Sequence, residues 1–246
     1  MVSARKLLLS LFSVALTASA APTTISLYDN LNAQVSTYYV LAFNGPLYNS
    51  FSTGSSAVLL TDVKLMLEEI NAFNSGTLTV ALYANSGNAP GTQLQVLGTL
   101  TDATVSIPDG PSPYDFPVSP GVQLAANTRY WIGLTTANNS QSGWVVTNSL
   151  TGTGNISSEF SCTRQQQVTS AQTRGIKANI QVALTCGQNN GAGGFPPFLM
   201  TVNASSAATP PPATVPTLSA WGLLGLTALL VASAALFANR SARVLG

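Results

Sequence analysis

Residues 220–238, AWGLLGLTALLVASAALFA, contain no ionisable side chain. Nineteen residues of helix rise by ~1.5 Å each to ~28 Å, close to the ~30 Å hydrocarbon core of a bilayer. A run this long and apolar predicts a transmembrane helix, so any folded domain has to be built from the rest of the chain. Its six leucines with Val231 and Phe237 contribute about −2 to −5 kcal/mol to insertion. Trp221 stands where an interfacial aromatic belongs, and Arg240 and Arg243 follow the run. Cytoplasmic flanks carry the excess of positive charge, which places the C-terminus inside and the main domain outside. The preceding stretch SSAATPPPAT cannot continue a packed element, and residues 204–214 are read as a Pro/Ala/Thr linker.

The opposite end predicts the same orientation. Arg5 and Lys6 precede an apolar stretch, 7–16, that is too short to span a bilayer, and Ala18, Ser19 and Ala20 supply small residues for cleavage. These are the three parts of a secretory signal peptide, assigned to residues 1–20 and implying export through the Sec route.

Between the ends, residues 21–203 have the length of one domain. In SSAVLLTDVKLMLEEI, Val63, Leu65 and Leu67 alternate with Lys64, Met66 and Glu68. In GTLTVALYA, Leu78, Val80 and Leu82 share a face opposite Thr79, Ala81 and Tyr83. A period of two is the signature of a half-buried strand. TRYWIGLTT, SGWVVTN and KANIQVALT add β-branched and aromatic runs, while NSGNAPGTQ, PDGPSP, NNSQSG and TGTGN read as turn clusters. No stretch has the pattern of a long amphipathic helix. The expected fold is all-β, a jelly-roll-like antiparallel β-sandwich.

Charge narrows the function. Charged residues make up 7% of the chain, against about a quarter in an ordinary soluble domain. With the ends set aside, five cations face eight acids, leaving the middle at −3. Nucleic-acid binding needs a basic stripe, and none exists. Histidine is absent, which removes the commonest general base and the usual imidazole metal ligand. The expectation is a non-enzyme without cofactor or bound metal. Cys162 and Cys186 form an even pair in an exported chain and predict one disulfide, stabilising the fold by about 3.5 kcal/mol.

The remaining candidates for chemistry each have an ordinary structural explanation. Glu68 and Glu69 are adjacent, so on a strand they point to opposite faces and cannot flank one scissile bond; solvated strand-end charges are expected. Asp109 and Asp115 around GPSPY offer hard oxygen ligands for Ca²⁺, or an Asx turn. TGTGN and GQNNGAGG lack the lysine and context of a phosphate loop and read as turns. Tyr114 and Trp144, with Tyr48 and Tyr39, lie near turns rich in Asn and Gln and are candidate glycan contacts, whereas Trp131 and Trp144 also suit a strand core. A surface polysaccharide is therefore a candidate partner beside the membrane.

Two segments resemble known families. The tail VPTLSAWGLLGLTALLVASAALFANRSAR is similar to the IPTL-CTERM domain, a relative of the PEP-CTERM signals. Val215, Pro216, Thr217 and Leu218 match its namesake motif with Val for Ile, and Trp221 and Gly222 match its WG. The end departs from the pattern, with two separated arginines in place of a dense basic cluster. The resemblance, over residues 215–246, implies recognition by an exosortase-type membrane enzyme in a Gram-negative bacterium. It also implies residence in the inner membrane, then delivery to the cell surface or extracellular matrix.

The middle resembles the choice-of-anchor R domain, on LYDNL (27–31), YNSFSTGSSAVLLTDVKLML, LTVALYANSGNAPGTQL, LGTL, GVQLAANTRYWIGL, GWVV and the closing PFLMTVNA. That family implies a β fold and a surface location but no catalytic residues. Residues 150–192, with both cysteines, depart from its pattern and are read as an insertion.

Overall fold

The alternation in residues 63–68 becomes part of β4 (Val58–Glu69) in the computed structural model, which describes residues 23–69, 76–105, 110–168, 180–191 and 194–206. The chain divides into two units, Met1–Ala207 and Ala208–Gly246, and the described residues all belong to the first. The expected signal peptide, transmembrane span, sorting motif, Arg240 and Arg243 lie outside the described residues, as do Asp109 and most of the linker. Among the described residues no helix is long and apolar enough to cross a membrane.

Before β4 come β1 (Thr24–Asp29), β2 (Thr37–Val40), the one-turn α1 (Leu41–Asn44) and β3 (Leu47–Ser52). After it come β5 (Thr77–Ser86), β6 (Ala89–Thr101), β7 (Ser112–Leu124), β8 (Arg129–Thr136) and β9 (Ser142–Val146). The described strands end with β10 (Phe160–Val168), β11 (Ile180–Gln188) and β12 (Met200–Ser206). They form two six-stranded sheets. The first runs β1-β12-β4-β9-β2 with β7 also on β4; the second runs β11-β10-β3-β8-β5-β6. All the pairings between these strands are antiparallel.

One core joins the two inner faces. Val63, Leu65, Leu67, Trp144 and Val202 come from the first sheet; Leu47, Phe51, Leu78, Leu82 and Ile132 come from the second. A fully buried side chain of this size contributes about 1.5–3 kcal/mol, so this inner face sets the register. A bulge between Leu60 and Asp62 shifts the inward set of β4 from Val58 and Leu60 to Val63, Leu65 and Leu67.

Two sequence expectations change. Most of the expected turn NSGNAPGTQ is strand: only Gly87 and Asn88 separate β5 from β6, with Gly87 at φ +65°. Pro90 is accommodated because β6 is the edge of its sheet, where an absent N–H breaks no ladder. The linker also starts later than residue 204, because β12 runs to Ser206, which pairs with Val58.

Residues 150–192 contain a 3-10 turn (Ile156–Ser158) and the β10–β11 hairpin, which extends the second sheet. β10 joins β3 through Ser161 opposite Asn49 and Cys162 opposite Tyr48. Cys162 and Cys186 are paired across the hairpin and form the expected disulfide.

Candidate functional site

Trp144 was a candidate glycan contact, and the structure overturns that reading. Its indole is fully buried, donates from Nε1 to the Leu199 carbonyl at 3.0 Å, and lies 4.6 Å from the Phe198 ring. β9 carries it inward because its partner on β4 is Leu67, an inward position. Tyr114 is half-buried against the same core, and its hydroxyl donates to the Thr104 carbonyl at 3.4 Å. Tyr114 pairs with Leu65 and Trp144 with Leu67, on different partner strands of β4, and nothing brings the two rings together on one surface. Tyr39 is half-buried, edge-on to Phe198 at 5.9 Å.

Tyr48 belongs to a second apolar cluster, with Ala81, Tyr83, Trp131 and Cys162. On β8, Trp131 and Gly133 point opposite to Tyr130, Ile132 and Leu134, so this cluster occupies the outer face of the second sheet. A row of paired residues crosses that face: Cys186, Cys162, Tyr48, Gly133 and Ala81. Glycine is required at 133, since a Cβ there would meet the rings of both Tyr48 and Tyr83 at 2.5 Å. The two tyrosines pack edge-to-face at 5.2 Å, and burial pushes the Tyr48 phenol up to about 12. Trp131 is fully buried, with Nε1 donating to Asn85 at 2.9 Å. Rings sealed to this degree fasten the hairpin to the sheet and leave no face for a sugar to stack on.

An open groove of about 430 Å³ lies elsewhere, between the segment preceding β2 and the segment following β9. Gln34, Val35, Ser36, Thr147, Asn148 and Ser149 line it. The Ser36 N–H donates to the Val146 carbonyl at 2.9 Å, and the Ser149 N–H to Thr147 Oγ1 at 3.0 Å, which holds both walls. The lining is amide and hydroxyl with one exposed apolar side chain, Val35, and no aromatic.

The acids diverge most from expectation. Glu68 faces outward and is half-buried, with desolvation raising its carboxyl above the usual range. Glu69, expected to be solvated, is 3% exposed. It continues the inward series of Val63, Leu65 and Leu67, and its Oε2 lies 2.5 Å from Ser142 Oγ. That hydroxyl is also 2.8 Å from Asp102 Oδ1, on a fully buried aspartate. Asp102 accepts from the Ser140 hydroxyl and from the Gln141 N–H at 3.1 Å. Two carboxyls meeting on one hydroxyl approach the roughly 5 Å spacing of a retaining glycosidase. Both are buried, and among the described residues no cleft opens between them for a glycosidic bond.

Arg129, at the start of β8, was not singled out from sequence. Its Nε lies 3.0 Å from Glu159 Oε2, Nη2 donates to the Ser158 carbonyl at 3.0 Å, and the guanidinium covers the Phe160 ring at 4.7 Å. Ser50 donates to Glu159 and accepts from the Phe160 N–H at 2.8 Å. This constellation pins the 3-10 turn and the start of β10 to the sheet. Asp115, the described half of the candidate Ca²⁺ pair, instead bonds Lys64 at 2.8 Å on the exposed surface. Among the described residues no group of three or more acids or cysteines is placed to hold a metal ion.

No family model matches the chain, and no curated protein matches it.

Proposed function

We propose that this chain is an exported bacterial surface or extracellular-matrix protein whose jelly-roll-like β-sandwich is structural or adhesive rather than catalytic. A C-terminal transmembrane helix holds it in the inner membrane with the domain outside, and an exosortase-type enzyme recognises the tail. One combination carries this reading: a disulfide-containing β domain with its own core stands between a Sec-type signal and an arginine-ended apolar run. A disulfide is at home in an oxidising compartment, which supports export. Deleting residues 215–246 tests the tether. The truncated protein is expected in the soluble exported fraction, and its retention in membranes defeats the reading.

A second reading, a carbohydrate-binding module, is favoured by the groove between Gln34 and Asn148, whose amides and hydroxyls suit sugar hydroxyls. Glycan-array binding that weakens in Asn148→Ala and Gln34→Ala supports it; no binding to any glycan removes it. Trp144→Ala would not test this reading, because Trp144 is buried in the core.

A further inference from the structure

Building on the carbohydrate-binding reading, we infer that the groove between Gln34 and Asn148 grips the acetamido group of a neutral, N-acetylated polysaccharide. Its volume of about 430 Å³ lies within the ~300–1,000 Å³ range of small-ligand sites. Each wall presents one exposed primary amide, Gln34 ahead of β2 and Asn148 behind β9. Hydroxyls beside Asn148 are already used within their own loop. Thr147 Oγ1 accepts the Ser149 N–H at 3.0 Å, and Ser149 Oγ lies 2.7 Å from Thr151 Oγ1. A primary amide has two donor hydrogens and an acceptor oxygen, so it matches both the N–H and the C=O of an acetamido group. Val35, 46% exposed and next to Gln34, is the one apolar side chain in the lining, and it gives the acetyl methyl a surface to cover.

The same lining disfavours other sugars. An unsubstituted hexose presents hydroxyls, for which water competes on equal terms, and a C–H face, which suits an aromatic ring; none lines the groove. No lining residue is ionisable either, so a uronate or a sulfated sugar would shed hydration without meeting a cation. Both walls are fixed before a ligand arrives. The Ser36 N–H donates to the Val146 carbonyl at 2.9 Å, and the Thr147 N–H to the Pro197 carbonyl at 3.1 Å. Behind Asn148 the chain packs so closely that a Cβ on Gly191 would meet the Asn148 carbonyl oxygen at 2.1 Å. Little backbone ordering is left to oppose binding, which suits the few contacts that an open groove provides.

Calorimetric titration of the full-length chain in a zwitterionic detergent, free of sugar headgroups, tests the assignment. The probes are oligomers of N-acetylglucosamine, glucose and glucuronic acid with the same linkage and length. Only the N-acetylglucosamine oligomer is expected to bind. Asn148→Ala and Gln34→Ala should each weaken that binding by about 3- to 10-fold, the worth of one neutral hydrogen bond. Val35→Ala should weaken it by about 4-fold, as for one buried methylene. All three side chains are exposed, so the variants should keep the wild-type urea midpoint, and affinities are compared only between proteins that do. Equal or tighter binding of the glucose or glucuronate oligomer overturns the acetamido assignment and leaves the broader carbohydrate reading standing. Binding of none of the three also overturns it, and the glycan array then decides the broader reading separately. Affinity for the N-acetylglucosamine oligomer that is unchanged in both amide variants places the sugar elsewhere and overturns it as well.

Discussion

Two buried glutamates, Glu159 and Glu69, are held by different neighbours: a cation for the first and a serine hydroxyl for the second. Glu159 is 1% exposed and meets the Arg129 guanidinium, with the Ser50 hydroxyl completing its shell. Glu69 is 3% exposed and meets a second acid through Ser142. The first is an ion pair fastening the 150–192 region to the sheet, and removing its cation strands a charge. Burial alone therefore does not say what a carboxyl contributes; its partners do.

The sharpest way to break this comparison is Arg129→Ala, which leaves Glu159 buried without its cation. The expected loss is about 3–5 kcal/mol in urea unfolding; a loss below about 1 kcal/mol would mean that solvent reaches the site and that the pair behaves as a surface ion pair. Replacing both cysteines by alanine should cost about 3.5 kcal/mol. A much smaller loss would assign the attachment of the hairpin to Arg129, Glu159 and the outer aromatic cluster alone.

A smaller effect is expected when the Glu159 charge alone is removed at pH 8. Glu159→Gln should lose about 1.5–3 kcal/mol, the worth of hydrogen bonds to a charged group. Smallest is Lys64→Ala, whose exposed pairing with Asp115 should leave the urea midpoint unchanged.

Much of this was legible residue by residue. Val63, Leu65 and Leu67 already place residue 69 on the inward face, because side chains alternate along a strand. Reading Glu69 as solvated gave its position at a strand end more weight than that parity. No local pattern could supply its partners, since Asp102 and Ser142 lie 33 and 73 residues further along the chain. Trp144 illustrates the same limit: its flanking turns suggested a surface, and its partner Leu67 puts it in the core. NAPGTQ read as a turn from its Pro and Gly, and an edge position made those residues compatible with strand.

What the sequence by itself determined is the all-β character and the disulfide. Period-two alternation is a local property, and two cysteines in the chain allow one pairing between them. Only the tertiary structure decided which polar groups are buried and what each one faces. The Arg129–Glu159 ion pair, the sealed face around Gly133, and the carboxyls meeting on Ser142 each depend on register between strands far apart in sequence. That register follows from how the whole inner face packs, which no short window of residues contains.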